Sequence, residues 1–315
     1  MNTKNIPSLS TASFFRQLIM NEVIHDRYWD SKTNRVKYIL RTLITPKATF
    51  KLLSFLAATP NAKTLIQRQP SLPYKVHRPY LRASMNTKDK LKSICAGSCL
   101  IFNSLKKSDL EKIYSKDGLC IDKIDGKTDN YTITLGMENK FSREGELVVH
   151  FKTSGKIILA SCAFGFLFTE NNTSLFIGAI QGGGKQCTPE LIKEATKSCY
   201  GLFPKRILIE VVCLLAQRFG CNEILAVSNN THVFQNSRYK RKKNNLMISD
   251  YDGFWESLSG HKNAKQDYIL PLSIKRKDIA DVSSKKRSEY KKRYVLLDNL
   301  TANFLCASPK QTPLL

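Results

Sequence analysis

The sequence predicts an α+β protein: an N-terminal helical layer followed by a mixed, largely antiparallel sheet with packed helices. Three observations predict it. Up to about residue 110, apolar residues recur at helical spacing between prolines. From about Leu119 the pattern changes to short apolar runs separated by Gly126, Gly136, Gly145 and Gly155, as strands and hairpin turns require. After Gly182 to Gly184, two helical runs lead into one short buried strand, which is half of a crossover unit and makes the sheet mixed. The expected organisation is a helical region over residues 1–110, an α+β domain over 119–300 and a C-terminal tail over 301–315.

In chain order, amphipathic stretches run from Ser13 to Ile24, Lys32 to Thr45 and Pro46 to Ala58. Val36, Ile39, Leu40 and Leu43 have the spacing of one helix face. Pro60, Pro70, Pro73 and Pro79 then mark a linker or surface wrap, and a fourth helix spans Asn86 to Leu105. Strands follow at Tyr131 to Leu135, Glu146 to Thr153, Lys156 to Phe168 and Leu175 to Ile180. Thr188-Pro189-Glu190 is a helix start, with a hydroxyl cap, proline in the first turn and an early acid. Pro204 opens a second helix, apolar on nearly every side, which Gly220 ends before the strand Glu223 to Ser228.

Composition narrows the function classes. The 315 residues are 42% apolar and 24% charged, close to globular averages, which excludes collagen-like and disordered chains. Fifty Lys and Arg against 26 Asp and Glu give a net charge of +24, which attracts polyanions without selecting among nucleic acid, phospholipid, lipopolysaccharide and phosphorylated cofactors. The nine cysteines are scattered through apolar patterns and fit buried, reduced thiols. No pair has Cys-x-x-Cys spacing, and Cys95 with Cys99 falls two ligands short of a zinc site, so no metal is expected. The N-terminus lacks secretory features, and the longest apolar run, Ile157 to Phe168, is shorter than the roughly 20 residues a spanning helix needs. The expected location is cytoplasmic, with peripheral contact at the inner face of the inner membrane.

Four motifs carry a resemblance: Tyr200 to Glu210, the strand ending at Asn229, Asp250 to Glu256, and Ser284 to Asp298. In order and spacing they resemble the VirK and YbjX family of enterobacteria. That resemblance implies a bacterial virulence-associated factor supporting envelope or surface-protein properties, with an envelope or surface protein as partner. It brings no catalytic residues. The order of antiparallel strands, glycine turn, long helix and strand ending in Asn is also similar to GNAT-type N-acetyltransferases, and that likeness implies acyl-CoA as ligand. Its cofactor-binding candidates are Gly182, Gly183, Gly184, Gly201 and Asn229. Gln186 stands where that family favours a small residue, and Phe203 and Pro204 follow Gly201 where small or amide-donating residues belong.

The remaining candidates come from residue type and position. His232, just past a strand end, and the acids Asp252 and Glu256, spaced i, i+4, are the acid-base candidates. Each also has a structural reading, as a loop histidine and as acids in the first turn of a helix. Two basic runs stand out: Arg238 to Lys243, and Lys286, Arg287, Lys291, Lys292 and Arg293 on a helix beginning near Ser283. The second is the anion-binding candidate, for an anionic membrane surface or another polyanion, with solvated lysines as its plain alternative. A nucleic-acid-binding regulator is the third class, without a recognised DNA- or RNA-binding signature.

Overall fold

The computed structural model describes residues 10–59, 62–237, 239 and 250–306. The basic run Arg238 to Lys243 lies outside them except for Tyr239, as does the end of the chain beyond residue 306. The N-terminal layer contains α1 (Thr11–Met20), α2 (Lys32–Ile44), α3 (Pro46–Ala58), α4 (Ala62–Arg68), α5 (Thr87–Ser104) and α6 (Lys107–Ile113). Their starts follow local chemistry. Ser10, Ser31 and Asn86 each accept a backbone N–H at a helix N-terminus, and Pro46 occupies the first turn of α3.

Two features of this layer differ from the sequence reading. The α2 stripe faces solvent: Val36, Leu40 and Leu43 are exposed, while Tyr38 and Thr42 make the buried side. Tyr38 packs edge-on against Trp29 at 5.0 Å, and Trp29 donates its indole N–H to the Pro70 carbonyl at 2.7 Å. The proline-rich stretch is also no loose linker. It holds α4 and a 3-10 helix, Leu72–His77, in which all six residues are buried.

Eight strands form one sheet among the described residues: β1 (Leu119–Asp125), β2 (Asn130–Gly136), β3 (Leu147–Thr153), β4 (Ile158–Phe168), β5 (Thr173–Gly182), β6 (Glu223–Ala226), β7 (His261–Lys262) and β8 (Tyr268–Leu270). Their order is β1-β2-β3-β4-β5-β6-β8-β7. Strands β1 to β5 form an antiparallel meander, β6 joins β5 in parallel, and β8 and β7 close the edge antiparallel. The β5 to β6 connection carries α7 (Pro189–Ser198) and α8 (Pro204–Arg218). Thr188 caps α7 by accepting the Leu191 N–H, and α8 packs across β3 to β6 with ten buried residues. After β6 comes α9 (Tyr251–Glu256), and α10 (Ser284–Cys306) follows β8.

One core runs from the helical layer into the sheet. Phe166 of β4 lies against Gly97 of α5 and edge-on to Phe219 just after α8. A buried ionic contact joins the 3-10 helix to β3: Lys75 Nζ lies 2.6 Å from Glu146 Oε1, both side chains being 3% exposed, and the Tyr80 hydroxyl donates to the other oxygen. Gly165 leaves the space for this group, since a Cβ there would sit 2.7 Å from Glu146 Oε2.

Candidate functional site

The site is built where two parallel strands part. β5 and β6 are paired from Ser174 with Glu223 to Ile177 with Ala226, and the Val227 N–H still donates to the Ile177 carbonyl at 3.0 Å. Beyond that bond β5 continues to Gly182 with β4 alone. A bulge marks the parting: Ala179 faces Ala163 and Ile177 faces Phe164, which leaves Gly178 as the extra residue. Only glycine fits there, because a Cβ on Gly178 would lie 1.9 Å from the Glu144 carbonyl.

Tyr251, the first residue of α9, fills the gap. Its hydroxyl faces the Ile180 N–H, which lies beyond the last pair with β6 and lowers the phenol's pKa slightly, and its ring stacks on His232 at 5.3 Å and 23°. Burial, reinforced by the nearby Glu144 carboxylate, pushes the Tyr251 phenol far above its ordinary range. His232 is buried, and its Nδ1 accepts the Phe234 N–H at 3.3 Å.

Asn229 ties the end of β6 to α9. Its backbone N–H donates to Asp252 Oδ1 at 2.7 Å, its amide donates to Asp250 Oδ1 at 3.0 Å, and its Oδ1 accepts the Tyr251 N–H at 2.9 Å. The Asn229 amide and the Gly253 N–H together hold the Asp250 carboxyl below its usual range. Asp252 also takes an ion pair from Lys262 at 2.7 Å, and Glu256 accepts the Tyr268 hydroxyl at 2.8 Å. Both acids therefore join α9 to the β7–β8 hairpin. Trp255 completes the strap by donating its indole N–H to the Val227 carbonyl at 2.7 Å.

The glycines divide into three kinds. Gly182 and Gly184, at the open end of β5, would carry a Cβ without meeting any atom within 4 Å. Gly183 is required by the turn, since its Cβ would strike the Ile158 carbonyl at 2.2 Å and Cys187 at 2.3 Å. Gly201 lies elsewhere, at the side of β1 and β2: the β1–β2 turn donates its Lys127 N–H to the Ser198 carbonyl at 2.9 Å. Gly201 itself has φ +77° and backs onto Glu289 and Arg293 of α10, so the fold separates it from the β5–β6 gap. Phe203 is 55% exposed at the start of α8, and Pro204 is buried there.

The basic residues of α10 also divide. Arg287 donates to the Val282 and Ala280 carbonyls, and Arg293 donates to the Tyr200 carbonyl while stacking on Tyr290 at 4.0 Å. Lys286, Lys291 and Lys292 are exposed. The last two border a groove of about 470 Å³ whose opposite wall carries Asp122 and Asp125, so its charge is mixed. Gly178, Glu144 and Tyr251 escaped the sequence reading as site residues. The one signal available was a glycine inside an apolar strand, which commonly marks a bulge.

Comparison with known proteins agrees with the motif resemblance. The family described as "Protein of unknown function (DUF535)" matches residues 27–305. The chain belongs to the DUF535 family. A relative from Escherichia coli (strain K12), "Uncharacterized protein YbjX", is 36% identical over 292 residues, covering 92% of this chain and 88% of the relative. This places the protein in the VirK and YbjX group of the DUF535 family. An "Uncharacterized protein" of Haemophilus influenzae is 25% identical over 84% of the chain and 85% of its own length. "Membrane protein LapB" of Mannheimia haemolytica is 23% identical over 61% of the chain and 82% of its length. No helix among the described residues is long and apolar enough to cross a membrane.

Proposed function

We propose that this DUF535 protein is an acyl-CoA-dependent acyltransferase that supports the bacterial envelope. The parting of β5 and β6 at the Gly178 bulge, beside an open glycine turn, carries the reading. The carboxyl ends of parted strands are where α/β proteins gather ligands; here Tyr251 and Trp255 line that end, and the chain is open beyond it at Gly182 and Gly184. Gly182 and Gly184 allow a pyrophosphate to approach the backbone closely. Acyl transfer joins an amine or hydroxyl to the thioester carbonyl, breaks the C–S bond and passes the proton that the nucleophile loses to the departing thiolate. Tyr251 does not supply that proton: its raised pKa keeps the phenol neutral but makes transfer to a thiolate, a far weaker base, uphill, so Tyr251 lines the strand end as a neutral positioning group. The envelope setting rests on the VirK resemblance and on a distant relative named as a membrane protein.

Calorimetry with acetyl-CoA and palmitoyl-CoA tests this. Saturable binding is expected below about 1 mM, the usual upper bound of substrate constants. Gly184→Val, which meets no steric obstacle in the free protein, should weaken it at least tenfold without changing thermal unfolding. Absence of binding by either thioester would remove the proposal.

A second reading is contact between α10 and a polyanion, favoured by the exposure of Lys286, Lys291 and Lys292. Replacing the three by Gln should then flatten the salt dependence of binding to phosphatidylglycerol vesicles. Salt-steep binding of duplex DNA in place of vesicles would favour the nucleic-acid class.

A further inference from the structure

The helical layer carries a surface that neither reading uses. Among the described residues nine large apolar side chains are exposed, and four of them lie on α2: Val36, Leu40, Leu43 and Ile44, at 54, 55, 71 and 79% exposure. Their spacing of i, i+4, i+7 and i+8 places them on one face. Single exposed apolar residues are ordinary on protein surfaces, whereas four sharing one helix face form a patch.

The charge around that patch is of one sign. α2 contains Lys32, Arg35, Lys37 and Arg41 and no carboxylate, and α3 behind it also contains none. At 100° per residue, Lys37 and Arg41 border the apolar arc on one side and Lys32 borders it on the other. Lys32, Lys37 and Lys47 are exposed. An apolar face rimmed by cations is the composition of a helix that lies in the interface of a bilayer.

Ile44 links the patch to a second feature. It lines a cleft of about 340 Å³ together with Arg41, Thr45, Arg78 and Lys90, and among the described residues no Asp or Glu stands in its walls. The cleft is organised from behind. Arg41 lies beside the Tyr28 hydroxyl, and the Arg78 guanidinium stacks on the rings of Tyr28 and Tyr74 at 4.9 and 4.1 Å. The His77 ring, on the same wall, is held between the hydroxyls of Thr45 and Thr49 at 3.3 Å each. A guanidinium fixed in this way, with that of Arg41 in the same cleft, matches the geometry of a phosphate.

We propose that α2 docks on an anionic bilayer, with Val36, Leu40, Leu43 and Ile44 entering the boundary between headgroups and acyl chains, and that the adjoining cleft takes a phospholipid phosphate. The net charge of +24 complements such a surface. The proposal stands apart from the acyl-transfer reading, and it places the membrane contact on α2, where the sequence pointed to α10.

Co-sedimentation with mixed phosphatidylglycerol and phosphatidylethanolamine vesicles tests it, with phosphatidylcholine vesicles as the neutral control. The triple variant Leu40→Ser, Leu43→Ser, Ile44→Ser removes exposed side chains only, and its partition coefficient should fall at least tenfold with unfolding unchanged. Arg41→Gln with Lys90→Gln should lose the preference for anionic vesicles; loss of that preference in Lys291→Gln with Lys292→Gln alone would assign the contact to α10 and overturn the proposal. Inorganic pyrophosphate is expected to compete with the anionic vesicles. Undiminished partitioning of the triple variant would overturn the proposal, as would equal binding to phosphatidylcholine. So would pyrophosphate binding without vesicle binding, or a dimer that the triple variant dissociates, since that would assign the patch to a second copy of the chain.

Discussion

Tyr251→Phe isolates one atom of the site. The ring keeps its stacking on His232, and the hydroxyl that faces the Ile180 N–H is lost. Ile180 is 1% exposed and its amide lies beyond the last bond to β6, so removal of the acceptor leaves a buried donor unpaired. An unsatisfied buried amide costs about 1–3 kcal/mol, against a net gain near 1 kcal/mol for an ordinary hydrogen bond. The expected result is a loss of about 1–3 kcal/mol in urea unfolding at constant m, with faster hydrogen exchange at Ile180. A loss within about 0.5 kcal/mol, the range of a neutral surface change, together with unchanged exchange at Ile180, would refute the reasoning. The amide would then have another partner, and the strands would not be held apart by this side chain.

Three further outcomes follow from the same geometry. Lys75→Met leaves the Glu146 carboxylate buried without its cation and should cost about 3–5 kcal/mol, whereas Lys75→Met with Glu146→Leu should recover part of that, less about 1–3 kcal/mol for the Tyr80 hydroxyl left without its acceptor, as a double-mutant unfolding cycle would read. Glu138 is held below its ordinary range chiefly by the hydrogen bond from His150, 2.9 Å away, so its contribution is complete above the unfolded value of about 4.3 and is lost as pH falls through the lower folded value. Glu138→Gln should accordingly flatten the urea midpoint between pH 5 and pH 3. Burial pushes the thiols of Cys199, Cys213 and Cys221 up to about 12, while Cys99 and Cys120 are exposed; alkylation mapped by mass spectrometry should therefore mark the exposed pair well before the other three.

The sequence was most legible where local chemistry decides structure. Thr188 and Pro189 start α7 as read because the hydroxyl accepts the Leu191 N–H and proline needs no partner in the first turn. Periodicity identified α2 but not its buried side, which is set by Tyr38 and Thr42 packing where Trp29 and Pro70 meet. Alternating prolines concealed the buried 3-10 helix, because such short elements have no hydrophobic period to detect. Asn229 was found from its place after a strand, but its bonds go to α9. Glu144, Gly178 and Tyr251 are far apart in sequence and meet only through the bulge and the crossover, so no local pattern could join them.

Hydrogen exchange of the full chain with and without palmitoyl-CoA tests the central claim most directly, because it reports where the ligand sits without requiring turnover. Acyl-CoA binding in the gap between β5 and β6 predicts slower exchange in peptides covering 178–184 and 227–231, and loss of that protection in Gly184→Val. Binding that leaves these peptides unchanged and protects only the α10 peptides, or no protection at all under saturating thioester, would contradict it.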